Sequence, residues 1–334
     1  MAITFTNIPQ NGASFQKPLI YEFESDTELE QVEIRILDGE GEEIGHKTIN
    51  GTITSGKIDI APYVKHAVTY NIPQDITKCC VIDIGGSIDV QVEVEGTLSE
   101  ERRFIAAQID ASQSIVFLTD QGLKRTIDAD EFDMLCFVNT TTTPLTIAIE
   151  LCDDVYGCMM YRSFIPAEQY RQMAICATPR EFPKEMLEIA KYLIIKMRHG
   201  NTYLDSMEHE IHPNLSTARR IGWINEQGAP EYYTFPLRKS LLVESTRKHI
   251  ESIWGREAPA LESDNELKMI SAYEPQKQLK ALAKILSSPK VWLQQSDRQQ
   301  AVSLMTDRAL LTPGAGLGFI EIDLRAAEKG VKLW

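Results

Sequence analysis

The fold of the first part of this chain is decided by the stretch Gln31-Val32-Glu33-Ile34-Arg35-Ile36-Leu37-Asp38-Gly39-Glu40-Gly41. Its apolar residues Val32, Ile34 and Ile36 alternate with charged or polar ones, which predicts an antiparallel β-strand with one buried face. The two glycines tolerate a positive φ, so the chain is expected to turn at this point. Residues 44–49 are then predicted to return as the partner strand of a hairpin.

Similar alternating segments recur along the chain and are separated by short polar turns. Residues 1–110 contain no helical pattern long enough to cover a parallel sheet, and residues 111–215 show the same style of short strands, so we predict a mainly β protein. It is expected to contain two consecutive antiparallel β-sandwich domains, over residues 1–110 and 111–215. The further candidate strands are residues 87–95, 103–109, 114–119, 123–127, 132–138, 145–151, 159–165, 170–176, 192–198 and 203–212.

The final third, residues 216–334, is predicted to form a smaller α+β domain with a role in assembly. Residues 219–225 and 231–235 alternate on either side of a glycine-containing turn, which indicates a hairpin. Residues 274–287 are predicted to be a helix and residues 319–324 a closing strand. The helix prediction rests on a proline in the first turn, apolar residues at helical spacing and a terminating proline. These are Pro275, Leu279, Leu282, Ala283, Leu286 and Pro289.

The composition is that of an ordinary globular chain of 334 residues, of which 43% are hydrophobic and 25% are charged. These proportions exclude the collagen-like and disordered classes. No apolar run approaches the roughly 20 residues that a membrane-spanning helix needs. The sequence therefore predicts no membrane span.

Charge is distributed unevenly along the sequence, whose formal net charge is −14. Acidic and basic residues number 19 and 8 in residues 1–110, 15 and 9 in residues 111–215, and 14 and 17 in residues 216–334. The acidic first two-thirds argue against nucleic-acid binding. The slightly basic last third suits contact with an acidic partner, as in head-to-tail contact between unlike surfaces of two copies.

The six cysteines are expected to be free thiols. Adjacent Cys79 and Cys80 indicate one core thiol and one surface thiol rather than a disulfide framework. The amino-terminal residues lack the basic and apolar regions of a secretory signal, so the chain is expected to remain in the reducing compartment where it is made. The cysteines lie at positions 79, 80, 136, 152, 158 and 176.

Residues 51–58, Gly-Thr-Ile-Thr-Ser-Gly-Lys-Ile, come closest to a nucleotide-binding motif. Ile58 stands where the phosphate-binding loop needs a Ser or Thr hydroxyl for magnesium. That motif must also open a helix, whereas the residues after Lys57 alternate as a strand and reach Pro62. We therefore predict a polar hairpin loop at residues 51–58 and no cofactor site.

Two clusters contain residue types that bind metals, but neither has a suitable pattern. His209 and His212 are three residues apart, and on a strand such side chains point to opposite faces. The other cluster lacks the glycine turn and distal glutamate of an EF-hand and is interpreted as a solvated loop. Its members are Asp128, Asp130, Glu131 and Asp133. No metal ligand and no catalytic residue is predicted.

The last third also contains a recognisable succession of segments. Trp223-Ile224-Asn225, a glycine-containing turn and Tyr232-Tyr233-Thr234-Phe235 are followed by Leu279-Lys280-Ala281-Leu282 and Leu286-Ser287-Ser288-Pro289-Lys290-Val291-Trp292. In this order the segments resemble virion tail proteins from phages and prophages of Bacteroides-type gut bacteria. The resemblance is best over residues 219–325, about a third of the chain.

The resemblance implies a non-enzymatic structural component of a phage virion. It implies a tail, collar or baseplate protein that assembles as a homo-oligomeric ring, with copies of itself and other virion proteins as partners. The expected location is the virion, after synthesis in the host cytoplasm. No cofactor and no readout of nucleic acid are implied.

Seven residues are predicted as interface candidates on chemical grounds. Four are aromatic, and aromatic side chains dominate interface energetics. Three are lysines that form a basic stripe on the predicted helix. The alternatives are core packing for the aromatic side chains and a solvated helix face for the lysines. The candidates are Trp223, Tyr232, Tyr233, Phe235, Lys277, Lys280 and Lys284.

Two other functions remain open at this point. A carbohydrate-binding adhesin module built of β-sandwiches predicts exposed aromatic side chains on one sheet face. An enzyme predicts a pair of carboxyl groups about 5–10 Å apart in a cleft, as in glycoside hydrolysis. In so acidic a chain, spacing along the sequence neither identifies nor excludes such a pair.

Overall fold

The computed structural model describes residues 2–109, 112–165, 169–212, 218–252, 255–295, 298–309 and 316–327, with side chains described outside residues 238–265. The prediction of a mainly β protein is confirmed, because 56% of the chain is strand and 9% is helix. No helix within the described ranges is long and apolar enough to cross a lipid bilayer.

The strands are short in most of the chain and very long in two hairpins. They are β1 (Ile3–Asn7), β2 (Ala13–Ser14), β3 (Ile20–Asp38), β4 (Glu43–Asp59), β5 (Cys80–Asp83), β6 (Ser87–Val94), β7 (Thr97–Leu98), β8 (Arg102–Ile105), β9 (Ile115–Phe117), β10 (Lys124–Asp128), β11 (Asp133–Asn139), β12 (Leu145–Cys152) and β13 (Cys158–Phe164). They continue with β14 (Gln172–Ala177), β15 (Tyr192–His199), β16 (Thr202–His212), β17 (Arg219–Ile224), β18 (Pro230–Phe235), β19 (Leu237–Ser252), β20 (Gly255–Ile270), β21 (Glu274–Pro275), β22 (Val291–Gln294), β23 (Gln299–Leu304), β24 (Leu317–Gly318) and β25 (Glu321–Ala326).

The helical segments are few and short. They are α1 (Ala61–Ala67), α2 (Lys184–Leu187) and α3 (Gln276–Ala283), with 3₁₀ turns at Pro179–Glu181 and Lys284–Ser287.

The first sheet contains the predicted hairpin, which is confirmed. Strands β3 and β4 pair antiparallel, with Val32 opposite Ile49. At the turn, the carboxylate of Asp38 accepts hydrogen bonds from the backbone N–H groups of Glu40 and Glu42, each at 2.9 Å, and Gly41 has a φ of +85°. The strand order is β1-β3-β6-β8-β2, with β4 beside β3 and β7 beside β6.

Residues 51–58 are strand rather than the predicted hairpin loop, because β4 continues through them to Asp59. Phe23 lies opposite Gly56 and is buried. A Cβ atom at residue 56 would overlap the Phe23 ring, so glycine here permits close packing within a strand. The prediction was wrong because glycine and threonine in this segment serve strand pairing.

A four-stranded sheet in the order β5-β14-β11-β9 forms the central layer and is covered on both faces. Strand β11 is buried along its whole length, which explains its almost continuous apolar sequence. Leu135 and Phe137 pack into a core shared with the five-stranded sheet β10-β16-β15-β12-β13. Met134 and Cys136, which alternate with them, pack into a second core that includes Trp292.

Strand β5 lies within the predicted first domain but pairs with β14 of the central sheet. Its flanking residues Ile76 and Ile84 belong to the same core as Met134 and Trp292. The chain therefore leaves the first sheet after α1, contributes one edge strand to the central sheet and returns at β6. The predicted domain boundaries, at 110/111 and 215/216, fall outside the described residues.

The last part of the chain forms a seven-stranded sheet in the order β18-β17-β22-β23-β25-β20-β19. The predicted helix is confirmed over residues 276–287, as α3 and its 3₁₀ continuation, which end two residues before Pro289. Glu274 and Pro275, predicted as its first residues, instead form β21. Leu279, Leu282 and Ile285 of this helix are buried against the sheet. Strands β19 and β20 have no counterpart among the predicted strands, because residues 237–270 show no sustained alternation of apolar and polar residues.

Candidate functional site

The four aromatic interface candidates lie inside the chain's own core. The exposed fractions of Trp223, Tyr232, Tyr233 and Phe235 are 0%, 1%, 8% and 0%. The Tyr232 ring packs edge-on against Trp292, with ring centroids 5.8 Å apart. These side chains are therefore core residues of the folded chain, as in the alternative interpretation, and are not available at its surface. Aromatic character alone does not distinguish core residues from interface residues, because cores and interfaces both favour large rings.

The three lysine candidates fall into two groups. Lys277 and Lys280 are exposed on α3. Lys284 instead donates from its Nζ atom to Asp120 Oδ1 at 2.7 Å and to Glu226 Oε2 at 3.2 Å. The hydrogen bond to Asp120 raises the pKa of Lys284. Lys284 thus connects the helical segment to an earlier part of the same chain, and only Lys277 and Lys280 remain available at the surface.

A buried ionic network lies between the central sheet and its neighbours, around the carboxylate of Asp133. Its Oδ2 atom lies 3.0 Å from Arg125 Nη1 and 2.9 Å from His209 Nε2, and its Oδ1 atom lies 3.2 Å from Arg220 Nη2. All four side chains are almost completely buried. The network joins three sheets, because Arg125 and His209 lie on β10 and β16 and Arg220 on β17.

The electrostatic balance keeps Asp133 ionised. Burial by itself raises the pKa of this carboxyl group, but the charge of Arg125, the hydrogen bond to His209 and the charge of Arg220 together outweigh it. The pKa of Asp133 is therefore well below its usual range. Its carboxylate is stabilised only while all these partners are present.

The network resembles a catalytic dyad in composition but not in access. His209 Nε2 faces Asp133, and His209 Nδ1 lies 3.3 Å from the carbonyl oxygen of Leu193. Both ring nitrogens therefore face acceptors inside the protein, so neither is open to a substrate or a metal. The arrangement positions sheets relative to one another and offers no group for proton transfer.

The prediction that Asp133 belongs to a solvated acidic loop was wrong, because its side chain is buried. Asp133 opens the buried strand β11, and Glu131 accepts hydrogen bonds from Arg220 Nη1 at 3.3 Å and Thr234 Oγ1 at 2.8 Å. His212 is exposed, on the opposite side of β16 from His209. Within the described ranges, no group of three His, Cys, Asp or Glu side chains is placed to hold a metal ion.

A second buried polar cluster surrounds Glu231. Its carboxylate accepts hydrogen bonds from Gln121 Nε2 at 3.2 Å and from Asn225 Nδ2 at 3.1 Å. Gln278 of α3 donates to Gln121 Oε1 at 3.0 Å and accepts from the backbone N–H of Gly122 at 3.0 Å. These bonds hold the helix against the 119–122 segment, beside the ion pair between Lys284 and Asp120.

A cleft of about 210 Å³ opens next to this cluster. Its lining includes Lys124, Glu208, Glu210, Tyr233 and Glu274. The Tyr233 hydroxyl donates to Glu274 Oε1 at 2.8 Å, and burial raises the pKa of Glu274 despite this bond. A raised pKa in a cleft is a feature of some general acids. Here the carboxyl group is engaged by a tyrosine of the chain itself.

The outer face of the five-stranded sheet carries exposed tyrosines. Tyr161 lies opposite Glu150, and both point away from the buried Ile147 and Ile149. The Tyr156 ring stacks on Tyr192 with centroids 4.4 Å apart. The exposed fractions of Tyr156, Tyr161 and Tyr203 are 51%, 64% and 50%. This face offers aromatic surface together with charged groups such as the ion pair between Glu150 and Lys196, at 2.6 Å.

The β19–β20 hairpin extends beyond the sheet to which it belongs. Strand β20 pairs with β25 only over Glu266–Ile270. Over residues 255–265 the partner of β20 among the described strands is β19 alone, and β19 itself lies at the sheet edge. At about 3.3 Å per residue, this two-stranded ribbon is about 35 Å long. Both of its edges present backbone groups that another strand can pair with.

Comparisons with known proteins give no family for this chain. No family model matches it, and no curated protein matches it. Among solved structures it is similar to the periplasmic chaperone SfaE, with 11% identity and a TM-score of 0.20, over 64% of this chain and 100% of that chain.

Two further solved structures show the same low level of similarity. A β-glycosidase from Bacteroides vulgatus has 8% identity and a TM-score of 0.21, over 62% of this chain and 24% of the glycosidase. Trypsin-activated α-2-macroglobulin from Escherichia coli has 7% identity and a TM-score of 0.23, over 91% of this chain and 25% of the macroglobulin. The chain spans about a quarter of each, and these values carry no functional assignment.

Proposed function

We propose that this protein is a non-enzymatic structural component of a phage virion, a tail, collar or baseplate protein that assembles as a homo-oligomeric ring. Its proposed partners are copies of itself and other virion proteins, and its proposed location is the virion. The β19–β20 ribbon is the observation that carries the assembly part of the proposal. The virion part rests on the sequence resemblance of residues 219–325.

The ribbon supports assembly because a two-stranded hairpin is marginally stable in water on its own. A ribbon of about 35 Å whose outer edges have no partner among the described strands gains stability when a neighbouring copy supplies a third strand. The excess of basic over acidic residues in 216–334 and the acidic excess in 1–110 favour head-to-tail contact between copies.

The proposal includes a division of the chain into two β-sandwiches, over residues 1–110 and 111–215, and an α+β assembly domain over residues 216–334. The face-to-face packing of the central and five-stranded sheets supports the second sandwich. The buried ionic network supports a non-enzymatic role, because its charged groups bind one another and leave no open position. In this division, β5 belongs to the first domain by sequence but pairs with β14 of the second domain.

The assembly proposal is tested by shortening the ribbon. Val243 and Asn265 lie directly opposite each other, so residues 244–264 can be replaced by Asn-Gly, which joins the two strands through a tight turn. The pairing of β20 with β25 is retained. We expect the unaltered chain to form oligomers in sedimentation velocity and rings in electron microscopy, and the shortened chain to sediment as a monomer.

The control is the Tyr161→Ala variant, which removes an exposed aromatic group far from the ribbon in sequence and is expected to assemble normally. If the unaltered chain stays monomeric at every concentration, both alone and mixed with the virion proteins proposed as its partners, the assembly proposal is contradicted. The virion proposal has a separate test in the genome. Portal, terminase or tail-tube coding regions beside this one support it, whereas a polysaccharide-utilisation cluster favours the second candidate below.

The second candidate function is carbohydrate binding as an adhesin module. Its supporting observation is the outer face of the five-stranded sheet, where Tyr156, Tyr161 and Tyr203 are exposed. Exposed aromatic rings next to charged groups suit stacking on sugar rings and hydrogen bonding to hydroxyl groups. A glycan array checks this candidate. Retention of the unaltered chain that is lost in Tyr161→Ala supports it, and an array without specific retention contradicts it.

A further inference from the structure

Four of the six cysteines lie in two cross-strand pairs. Cys80 on β5 is directly opposite Cys176 on β14, and Cys152 on β12 is directly opposite Cys158 on β13. Directly opposed residues of antiparallel strands share one face of the sheet, and their Cα atoms are about 4.5–5.5 Å apart. Disulfides bridge Cα separations of about 4.4–6.8 Å. Register alone therefore permits a disulfide in either pair.

We propose that Cys80 and Cys176 form a redox-active dithiol, which closes to a disulfide between β5 and β14 on reaction with an oxidised small-molecule disulfide such as glutathione disulfide. They are directly opposed in the register of the two strands, so their side chains lie on the same face of the sheet. Cys80 is half-buried on a strand at the edge of the central sheet, where a small reactant has access, and Cys176 is buried directly beside it. This site is independent of the proposed assembly function.

The surroundings select Cys80 over its neighbour Cys79 as the reactive thiol. The neighbouring Cys176 thiol lowers the pKa of Cys80 to about 7, against the effect of partial burial. Burial raises the pKa of Cys79 to about 12, and its Sγ atom donates to the carbonyl oxygen of Thr178 at 3.5 Å. Because the thiolate is the nucleophile in disulfide exchange, Cys80 reacts and Cys79 does not.

The reaction consists of two exchange steps. The Cys80 thiolate attacks one sulfur of glutathione disulfide, so that a Cys80–glutathione bond forms, the glutathione disulfide bond breaks and one glutathione thiolate leaves. The Cys176 sulfur then attacks Cys80 Sγ, losing its proton to that thiolate, and the second glutathione leaves and takes a proton from water. Two electrons pass from the cysteine pair to the reagent, which ends as two thiols.

The pair Cys152–Cys158 is an internal comparison. Cys158 is exposed and Cys152 is buried, but the pKa of each is raised, chiefly by desolvation. The Cys158 thiol donates to the carbonyl oxygen of Met160 at 3.6 Å. At neutral pH this pair has much less thiolate than Cys80, so it is expected to react more slowly by on the order of tenfold.

The test is incubation of the full reduced chain with glutathione disulfide at pH 7.5, followed by thiol titration and peptide mapping. We expect two of the six thiols to be lost, in one linked pair. Trypsin cleaves after Lys78, Arg102, Arg171 and Arg180, so the expected product links peptide 79–102 to peptide 172–180. Alkylation of the reduced chain with iodoacetamide is expected to modify Cys80 first.

Three single variants identify the reacting sulfur, because Cys79 and Cys80 share a tryptic peptide. The linked peptide is expected to persist in Cys79→Ser and Cys158→Ser and to disappear in Cys80→Ser. Since Cys80 is half-buried, this last variant is expected to fold. Persistence of the link in Cys80→Ser would overturn the assignment. So would a glutathione adduct on Cys80 that never closes, or absence of the linked peptide from the unaltered chain at every glutathione ratio.

Discussion

The central sheet and the β19–β20 ribbon differ greatly in how far neighbouring strands and packed cores surround their strands. Strand β11 has a neighbouring strand on each edge and a packed core on each face, and its buried Asp133 has charged partners on three sides. Over residues 255–265, β20 has β19 as its one partner among the described strands, and no described strand pairs with the outer edge of either. The difference indicates that the central sheet is complete within one molecule, whereas the ribbon gains most from a second one.

The largest expected effect comes from breaking the ionic network. Asp133→Asn removes the carboxylate that lies between the buried guanidinium groups of Arg125 and Arg220, and breaking such a pair costs about 3–5 kcal/mol. Urea unfolding at pH 7 measures the loss. Asp130→Asn is the matched control, since Asp130 is exposed in the preceding loop and is expected to change stability by less than about 0.5 kcal/mol. Equal losses of unfolding free energy in the two variants would mean that the buried position of Asp133 among its charged partners does not stabilise the fold.

The same network predicts how stability depends on pH. Because the pKa of Asp133 is lower in the folded chain than in the unfolded chain, its contribution is fully present above the ordinary carboxyl value of about 4. The contribution is lost as the pH falls below that value, toward the depressed folded pKa. The difference in stability between the unaltered chain and Asp133→Asn is therefore expected to shrink between pH 4 and pH 2. A constant difference over this range would contradict the assignment.

A smaller effect is expected from crowding the junction between the central core and the last sheet. Gly222 lies opposite Trp292, and a Cβ atom at residue 222 would overlap the buried indole ring. Gly222→Ala is expected to destabilise the chain by about 1–3 kcal/mol, as overpacking does. Gly122→Ala is the control, because its Cβ atom would meet only the Gln278 amide at 3.7 Å. Thermal unfolding followed by near-ultraviolet circular dichroism distinguishes them.

The lysines of the helical segment test the stability difference between paired and unpaired charges at the surface. Lys284→Ala removes ion pairs to Asp120 and Glu226, and because these are partly exposed the expected loss is only about 0.2–1 kcal/mol. Lys280→Ala, one turn away on the same helix, is expected to leave stability unchanged. If Lys280→Ala instead weakens oligomers while Lys284→Ala does not, the surface candidates of the helix take part in assembly.

The smallest expected effect on stability is that of removing the ribbon. Replacement of residues 244–264 by Asn-Gly is expected to change the unfolding free energy of the monomer by at most about 0.5 kcal/mol, because a two-stranded hairpin is by itself only marginally stable in water. Denaturant unfolding at a concentration below that of assembly measures this. A large loss would show that the ribbon stabilises its own molecule, and the contrast with the central sheet would fail.

Much of the secondary structure was predictable because its signals are local. The segments predicted at 132–138 and 145–151 correspond to β11 and β12 within one residue at each end. The helix was predictable from apolar spacing between two prolines. Among the elements that were missed, β19 and β20 lack alternation, and the second half of β4 runs through residues that favour a turn. In both cases, pairing with other strands determined the structure more than the local sequence did.

The candidate site was much less predictable. The aromatic rings of Trp223 and Phe235 predict an interface role, but the packing of the seven-stranded sheet decides that both rings are buried. Asp133 and His209 form their hydrogen bond across 76 residues of sequence. Cys80 and Cys176 face each other only because the chain leaves the first sheet and places β5 beside β14 in the central sheet.

Sequence alone is enough to predict that this chain is mainly β, to place strands such as β11 and β12, and to locate its one clear helix near the carboxyl end. These properties follow from side-chain periodicity, which acts within a few residues. The tertiary structure alone decided which charges are buried together, which cysteines are opposed and which strand edges stay open. Each of these depends on the register between strands distant in sequence, and register is set by packing of the whole chain.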